Sequence, residues 1–336
     1  MFDSLPILPP DSILGLAAAC RADPNPHKVD LTLGVYMDES GLCPVFDAVK
    51  RAQQALVEEE ATKVYMPPQG DADYVSGISS LVLGNELSAT LGDRVSAVQT
   101  PGGCGAVRLG AEVLFAAAPG ATVWVSDPTW PVHIPLMGSV GLQFKTYRYY
   151  SPERKGLDFE AMLADLDAAA PGDVVLLHGC CHNPSGVDPT LEQWGVLATL
   201  LSERGLLPMI DFAYQGMGSS LEEDAAGLRA IIEQVPEMII AVSSSKNIGL
   251  YRERAGAVVF VGGDARCKCD GQSSGGCSST RLFHAASSWR AVGRACTVFP
   301  RITRELAGRA GADMRTDKWS SRGVSRCAEQ CDWPRL

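Results

Sequence analysis

Ser243-Ser244-Ser245-Lys246-Asn247-Ile248-Gly249-Leu250-Tyr251-Arg252-Glu253-Arg254 follows directly on the apolar run Met238-Ile239-Ile240-Ala241-Val242. A short apolar run of that kind, bounded by polar residues, reads as a strand buried on both faces. Ending it in three hydroxyls and a lysine puts an amine and several hydrogen-bond donors at the carboxyl edge of a sheet, where open α/β sheets hold their ligands. An amine held there becomes a nucleophile toward carbonyl carbon once its neighbours lower its pKa. Arg254, eight residues on, adds a fixed positive charge suited to a phosphate. Taken alone, a Ser-Ser-Lys loop is most often a solvated surface turn. The decision therefore falls to the other strand ends.

Working outward, short apolar runs alternate with helix-length segments from Val95 onward. The runs Val95–Val98, Ala121–Val125, Val174–Leu177, Leu206–Ile210, Met238–Val242 and Ala257–Val261 predict strands. Gly105–Ala117, Phe159–Ala169, Thr190–Arg204 and Ala225–Gln234 predict the helices between them. Thr190 with Gln193 forms a capping box that fixes one helix start. Strands alternating with helices predict an α/β fold: a mostly parallel sheet flanked by helices. Gly141–Tyr150 is an additional amphipathic strand. Upstream, Asp11–Ala22, Phe46–Glu60 and Tyr74–Leu91 read as helices, and Val29–Tyr36 alternates like a strand.

Residues that follow the runs carry chemistry. Thr100-Pro101-Gly102-Gly103-Cys104-Gly105 is a glycine-rich turn opening a helix, and bare amides at a helix N-terminus cradle anions. Asp127-Pro128-Thr129-Trp130-Pro131-Val132-His133 brings an indole. His178-Gly179-Cys180-Cys181-His182-Asn183-Pro184-Ser185-Gly186 brings an amide, and Asp211-Phe212-Ala213-Tyr214-Gln215-Gly216 a carboxylate and a phenol. Singly, each has a plain structural reading: tight turns, rim packing, satisfied histidines, small buried cysteines. Together they describe one ligand. A lysine joins an aldehyde, a carboxylate keeps a pyridine nitrogen protonated, a phenol and an amide hold a ring hydroxyl, and an indole stacks on the ring. Glycine amides, serines and an arginine bind a phosphate. That set fits pyridoxal 5'-phosphate.

The motifs Tyr65-Met66-Pro67-Pro68-Gln69-Gly70, Thr100 to Ala106, Ser126 to Trp130, Cys181 to Gly186, Asp211 to Gly216 and Ser245 to Arg254 carry a resemblance. In order and spacing, from about Val29 to Gly263, the chain resembles the fold-type I aminotransferases, most closely the aspartate and aromatic-amino-acid subgroup. That resemblance implies a Schiff base on Lys246, which then moves a proton between the substrate α-carbon and the cofactor. It implies Asp211 on the pyridine nitrogen with His133 behind it, Tyr214 and Asn183 on the ring hydroxyl, and Trp130 stacked on the ring. Gly103, Cys104, Ser243, Ser245 and Arg254 would surround the phosphate. Gly34, Trp130 and Asn183 would meet the substrate. Tyr65 would complete the site of a second subunit, so a homodimer is implied. The expected reaction moves an amino group from aspartate or an aromatic amino acid to 2-oxoglutarate. The implied organisation is residues 1–44 as the N-terminal part of a small domain with a dimer arm and 45–264 as the large cofactor-binding domain, which leaves the small domain incomplete.

Two departures qualify the expectation. The family places Ser or Thr where Cys104 stands, and a thiol is the poorer phosphate donor. No stretch after Gly262-Gly263-Asp264 matches the arginines that clamp the substrate carboxylates. The alternative reading is therefore a non-catalytic or severely impaired remnant that binds the cofactor but fails to hold substrate.

Composition also breaks near residue 265. Residues 1–264 hold 16 Lys+Arg against 33 Asp+Glu, a net of −17, while 265–336 hold 13 against 6, a net of +7, eleven of the thirteen being Arg. Six of the eleven cysteines lie in this last segment. Spacings in Cys267-Lys268-Cys269 and Cys327-Ala328-Glu329-Gln330-Cys331 match structural zinc sites poorly, so no metal is expected. Scattered arginines do not make a nucleic-acid arm, and the overall charge of −10 argues against nucleic-acid partners. A switch to Arg, Ser, Cys and Trp is what a shifted reading frame in GC-rich DNA produces. Residues 265–336 are thus read as a tail outside the family pattern, frameshifted or disordered. No apolar run approaches the roughly 18 residues of a membrane helix, and Met1-Phe2-Asp3-Ser4 does not open like a signal peptide. A cytoplasmic location without membrane partners is expected.

Overall fold

A computed structural model describes residues 12–30 and 34–263; the predicted tail of 265–336 lies outside them. The sheet strands are β1 (Val95–Pro101), β2 (Thr122–Asp127), β3 (Gln143–Arg148), β6 (Val174–His178), β7 (Leu207–Phe212), β8 (Met238–Ser243) and β9 (Ala255–Val261). β4 (Tyr150–Ser151) and β5 (Gly156–Leu157) form a separate small hairpin. The seven strands lie in the order β1-β9-β8-β7-β6-β2-β3. β8, β7, β6, β2 and β3 pair in parallel, as the alternation of runs and helices predicts. β9 is the exception, antiparallel to both neighbours.

That reversal positions the site. The carboxyl ends of β1 and β8 and the amino end of β9 share one sheet edge, with Ser243 opposite Gly256 and Pro101 opposite Ala255. Arg254 therefore returns to the edge that the chain left at Ser243. Only glycine fits at 256. A Cβ there would stand 2.5 Å from the Gly102 carbonyl carbon and 2.7 Å from the Val242 oxygen, both backbone atoms that cannot give way.

Helices cover both faces, so the strands bury side chains on alternate sides. Along β6, Val174 and Leu176 join a cluster with Val107, Leu109 and Leu114 of α5 (Gly102–Ala117). Val175 and Leu177 join the opposite cluster, with Ile78 of α3 (Ala72–Leu83), Leu197 of α8 (Leu191–Arg204) and Leu228 of α9 (Glu223–Ile232). The Thr190–Gln193 capping box is present, and α8 ends at Gly205 in the left-handed region.

The structure alters three sequence expectations. Tyr74–Leu91 is not one helix: α3 stops at Gly84, whose φ of +77° breaks the helix before α4 (Asn85–Leu91). Arg229 and Gln215 donate to the carbonyls of Leu81 and Val82 at that break and satisfy the helix end. Residues 29, 30 and 34–36 of the predicted Val29–Tyr36 strand lie outside any strand. Alternation alone does not make a strand without a partner ladder. Here the amide of Tyr36 donates to a side-chain oxygen instead, that of Tyr251, at 3.0 Å. Finally α5 begins at Gly102, earlier than the predicted Gly105, so Gly103 and Cys104 are in its first turn. The remaining helices are α1 (Ser12–Ala22), α2 (Asp47–Glu59), α6 (His133–Gly138) and α7 (Phe159–Asp167). No helix among the described residues is long and apolar enough to cross a membrane.

Candidate active site

The strand ends bring the predicted cofactor residues of this chain together. The Lys246 ammonium nitrogen lies 4.9 Å from the centre of the Tyr214 ring. Burial lowers the Lys246 pKa, only partly offset by the negative charge of Asp211 nearby. Burial and the Asp211 charge raise the Tyr214 phenol, while its hydrogen bond with Asn183 opposes them. Asp211 thus acts on the ionisation of both Lys246 and Tyr214.

Asp211 ends a hydrogen-bonded chain whose direction is fixed by proton inventory. Burial pushes the pKa of His178 down to about 4, with the Asp211 charge opposing, so its ring is neutral near pH 7. Its Nδ1 accepts the Asn183 backbone N–H at 3.4 Å, which puts the proton on Nε2. Nε2 then donates to Thr129 Oγ1 at 3.3 Å, and the Thr129 hydroxyl donates to His133 Nδ1 at 2.9 Å. This leaves the proton of fully buried His133 on Nε2, donated to Asp211 Oδ2 at 3.0 Å. Burial alone would raise the Asp211 carboxyl, but the His133 hydrogen bond and the basic groups around it, Lys246 among them, together outweigh burial, and the pKa ends below the usual carboxylate value. Asp211 is a held carboxylate, ionised through the neutral range.

Register explains the meeting: His178 and Asp211 are direct partners across β6 and β7. Singly, His178 reads as a satisfied structural histidine; the sequence shows only that it directly follows the apolar run Val174–Leu177, and the pairing with Asp211 is a matter of register. Trp130 packs edge-on to His133, with ring centroids 5.2 Å apart at 89°. His182 keeps the structural reading. It stacks on Tyr149 and bonds Ser126 and Ser185 through its two nitrogens, and burial takes its pKa down to about 3.

At the other end of the edge, Arg254 and the serines after β8 meet the first turn of α5. Arg254 donates to Ser245 Oγ and to the Tyr251 carbonyl, both at 3.1 Å. Its own φ of +55° is an uncommon backbone state for a non-glycine residue. Gly102 and Gly103 close on Arg254 and Ser243. A Cβ at 102 would stand 2.6 Å from Arg254 Nη2, and one at 103 would stand 2.9 Å from the Ser243 Cβ. Cys104 is half-buried in the same helical turn. Asn247 Oδ1, next to the lysine, is a buried acceptor without a hydrogen-bond partner among the described residues.

Two predicted residues stand apart. Tyr65 is fully exposed and Gly34 is exposed, so neither is packed into the cluster. A separate cavity of about 610 Å³ beside β1 is lined by Gln69, Val75, Ser79, Ser80, Ser88 and Ser96 among others. It has no acid, base or lysine, so chemistry belongs at the strand ends. No group of three or more His, Cys, Asp or Glu is placed to hold a metal ion among the described residues.

A lysine amine and a held carboxylate, with an arginine, serines and a helix N-terminus on the same sheet edge, have the chemistry to take a phosphorylated aldehyde. The chain belongs to the class I and II aminotransferases, whose family model matches residues 26–293 and so runs past residue 264. It is 49% identical over 265 residues to the aspartate aminotransferase of Salmonella typhi, covering 79% of this chain and 67% of that protein. It is 48% identical over 256 residues to the aromatic-amino-acid aminotransferase of Paracoccus denitrificans, covering 76% and 64%. The chain thus spans about two thirds of the length of these curated relatives. An aromatic-amino-acid aminotransferase from Burkholderia pseudomallei, solved covalently bound to pyridoxal phosphate, superposes with a TM-score of 0.81 at 34% identity. That match covers 91% of this chain and 74% of the other.

Proposed function

We propose that this chain is a pyridoxal-phosphate-dependent aminotransferase that moves an amino group from aspartate or an aromatic amino acid to 2-oxoglutarate. The observation that carries this is the Lys246 amine, its pKa lowered by burial, on the same sheet edge as an Asp211 carboxylate held by His133. The residues present fit the cofactor. Glycines 102 and 103 leave room that a Cβ would fill, Arg254 and the serines offer donors for a phosphate, and Asp211 offers the counter-charge for a pyridinium. When bound, pyridoxal phosphate supplies an electron sink for the α-carbon of an amino acid.

The protein's part is then positional and electrostatic. Asp211, kept ionised and fixed by the His133–Thr129–His178 chain, would hold the pyridine nitrogen protonated. Tyr214 and Asn183 would hold the ring hydroxyl, and Trp130 would cover the ring. Lys246 Nζ, unprotonated more readily than an ordinary lysine, would take the proton from the α-carbon and return it. A second copy of the chain is part of the proposal. Tyr65 and Val64 stand exposed, as an arm reaching a partner would. The cytoplasmic location belongs to the same proposal.

The test is spectroscopic. The purified chain with pyridoxal phosphate is expected to show the visible absorbance of the bound cofactor and to shift it on addition of aspartate or tyrosine. A band indifferent to amino acids would leave a cofactor-binding remnant. No band with added cofactor would overturn both readings.

A smaller expectation concerns Cys104. A hydroxyl donates to a phosphate more strongly than a thiol. Cys104→Ser is therefore expected to tighten cofactor binding about two- to tenfold, the range of one added hydrogen bond. Titrating the cofactor-free protein with pyridoxal phosphate measures it; unchanged or weaker affinity would place Cys104 outside the phosphate site.

A further inference from the structure

The turn that follows the lysine has a second occupation, on the side of the N-terminal segment. Residues 34–46 have no regular secondary structure, yet the chain there is held at two points by residues 249–251. The Tyr36 N–H donates to the Tyr251 hydroxyl at 3.0 Å, across 215 residues of sequence. Ten residues further on, the Phe46 ring lies over Gly249, where an added Cβ would touch it at 3.7–3.8 Å. Gly249 has a φ of +68°, and its N–H closes the turn on the Lys246 carbonyl at 3.1 Å. The lysine, its turn and the anchor of the N-terminal segment are therefore one short piece of backbone, 246–251.

Between the two anchors the segment is tied to itself. The Asp38 carboxylate accepts from Ser40 N–H (2.9 Å), Ser40 Oγ (2.6 Å) and Leu42 N–H (3.0 Å), and Asp38 N–H donates to the Leu42 carbonyl (2.8 Å). Residues 38–42 thus form a preorganised turn between the two contacts. The segment leads from exposed Gly34 through half-buried Val35 to Tyr36, so that Gly34 stands two residues before the Tyr251 contact.

We infer that Tyr251 is a positioning residue for substrate: its hydroxyl pins the Tyr36 amide and thereby sets where the Gly34–Tyr36 backbone lies beside the Lys246 turn. This rests on the proposed aminotransferase reading, in which Gly34 approaches the substrate carboxylate. The phenol is suited to the task. Burial raises its pKa, opposed by the Tyr36 hydrogen bond, so it stays a neutral, fixed acceptor at working pH. Phenylalanine would keep the ring and lose the hydroxyl that accepts the Tyr36 N–H.

The experiment compares the full chain with its Tyr251→Phe variant by two readouts. Hydrogen exchange is read without substrate. The Tyr36 amide is expected to exchange about three- to tenfold faster in the variant, the effect of losing one partly buried hydrogen bond, while strand β8 stays protected. The rate at which amino acid shifts the cofactor band is read against amino-acid concentration. The half-saturating concentration is expected to rise by a similar factor, with the limiting rate and the cofactor affinity within about twofold of the parent. Unchanged exchange at Tyr36 would overturn the contact. Faster exchange with unchanged half-saturation would reduce Tyr251 to a structural tether and overturn the inference. Absence of any cofactor band in the parent chain would instead overturn the aminotransferase reading, and the exchange data would still decide the contact.

Discussion

Replacing Lys246 by alanine is expected to abolish covalent capture of pyridoxal phosphate and to lower amino transfer by about 10⁴-fold or more, because one side chain supplies both the nucleophile and the general base. Folding should survive. The amine is desolvated, and burial already disfavours its charged form, so its removal relieves a cost instead of creating one. Lys246→Arg separates the roles further. It keeps a positive charge near Asp211 but has no amine that joins an aldehyde, and it should be as inactive as the alanine variant. Borohydride reduction followed by peptide mass measurement checks the covalent claim. The parent should carry the cofactor's added mass on the Lys246 peptide and neither variant should. Added mass on another lysine, or undiminished transfer in Lys246→Ala, would remove Lys246 from the centre of the mechanism.

Much of this was legible because strand ends are punctuated in the sequence. Each apolar run ends where polar, functional residues begin, and in a parallel sheet those ends fall on one edge. What the sequence does not carry is strand direction. The run Ala257–Val261 looks like every other run, since a strand buried on both faces is apolar whichever way it points. Its reversal, which returns Arg254 to the edge beside Gly102, came only with the structure. Pairing partners were also hidden. Val29–Tyr36 alternates, but alternation reports a half-buried surface and not a neighbouring ladder, so no strand forms at its described residues. Hydrogen-bond chains are invisible for a related reason: Thr129, His133, His178 and Asp211 lie on three separate segments joined only by register. Individually each had a commonplace role. The Tyr251–Tyr36 contact spans most of the described chain and leaves no periodic signature.

The directed chain ending on Asp211 makes two substitutions at that position diverge. Asp211→Asn is expected to lower amino transfer about a thousandfold, the scale of losing a preorganised charge aimed at a reacting group, while changing stability little. The reason is local: an asparagine carbonyl can still accept the His133 Nε2–H, so the His133–Thr129–His178 sequence of donors is undisturbed. Asp211→Ala should lose the same activity and in addition about 1–3 kcal/mol of stability, because a fully buried His133 N–H is left without an acceptor. Single-turnover kinetics and chemical denaturation of the two variants separate charge from structure. Equal destabilisation of both would mean that the negative charge itself, and not the hydrogen bond, holds the histidine chain together. The pH dependence has a definite sign. The folded pKa of Asp211 lies below its ordinary value, so its contribution to stability is present above the unfolded carboxylate range and is lost as pH falls through the folded pKa. The parent should therefore lose stability on acidification relative to Asp211→Asn, whose side chain does not titrate. Parallel stability curves for the two proteins down to the carboxylate range would contradict an ionised, histidine-held Asp211.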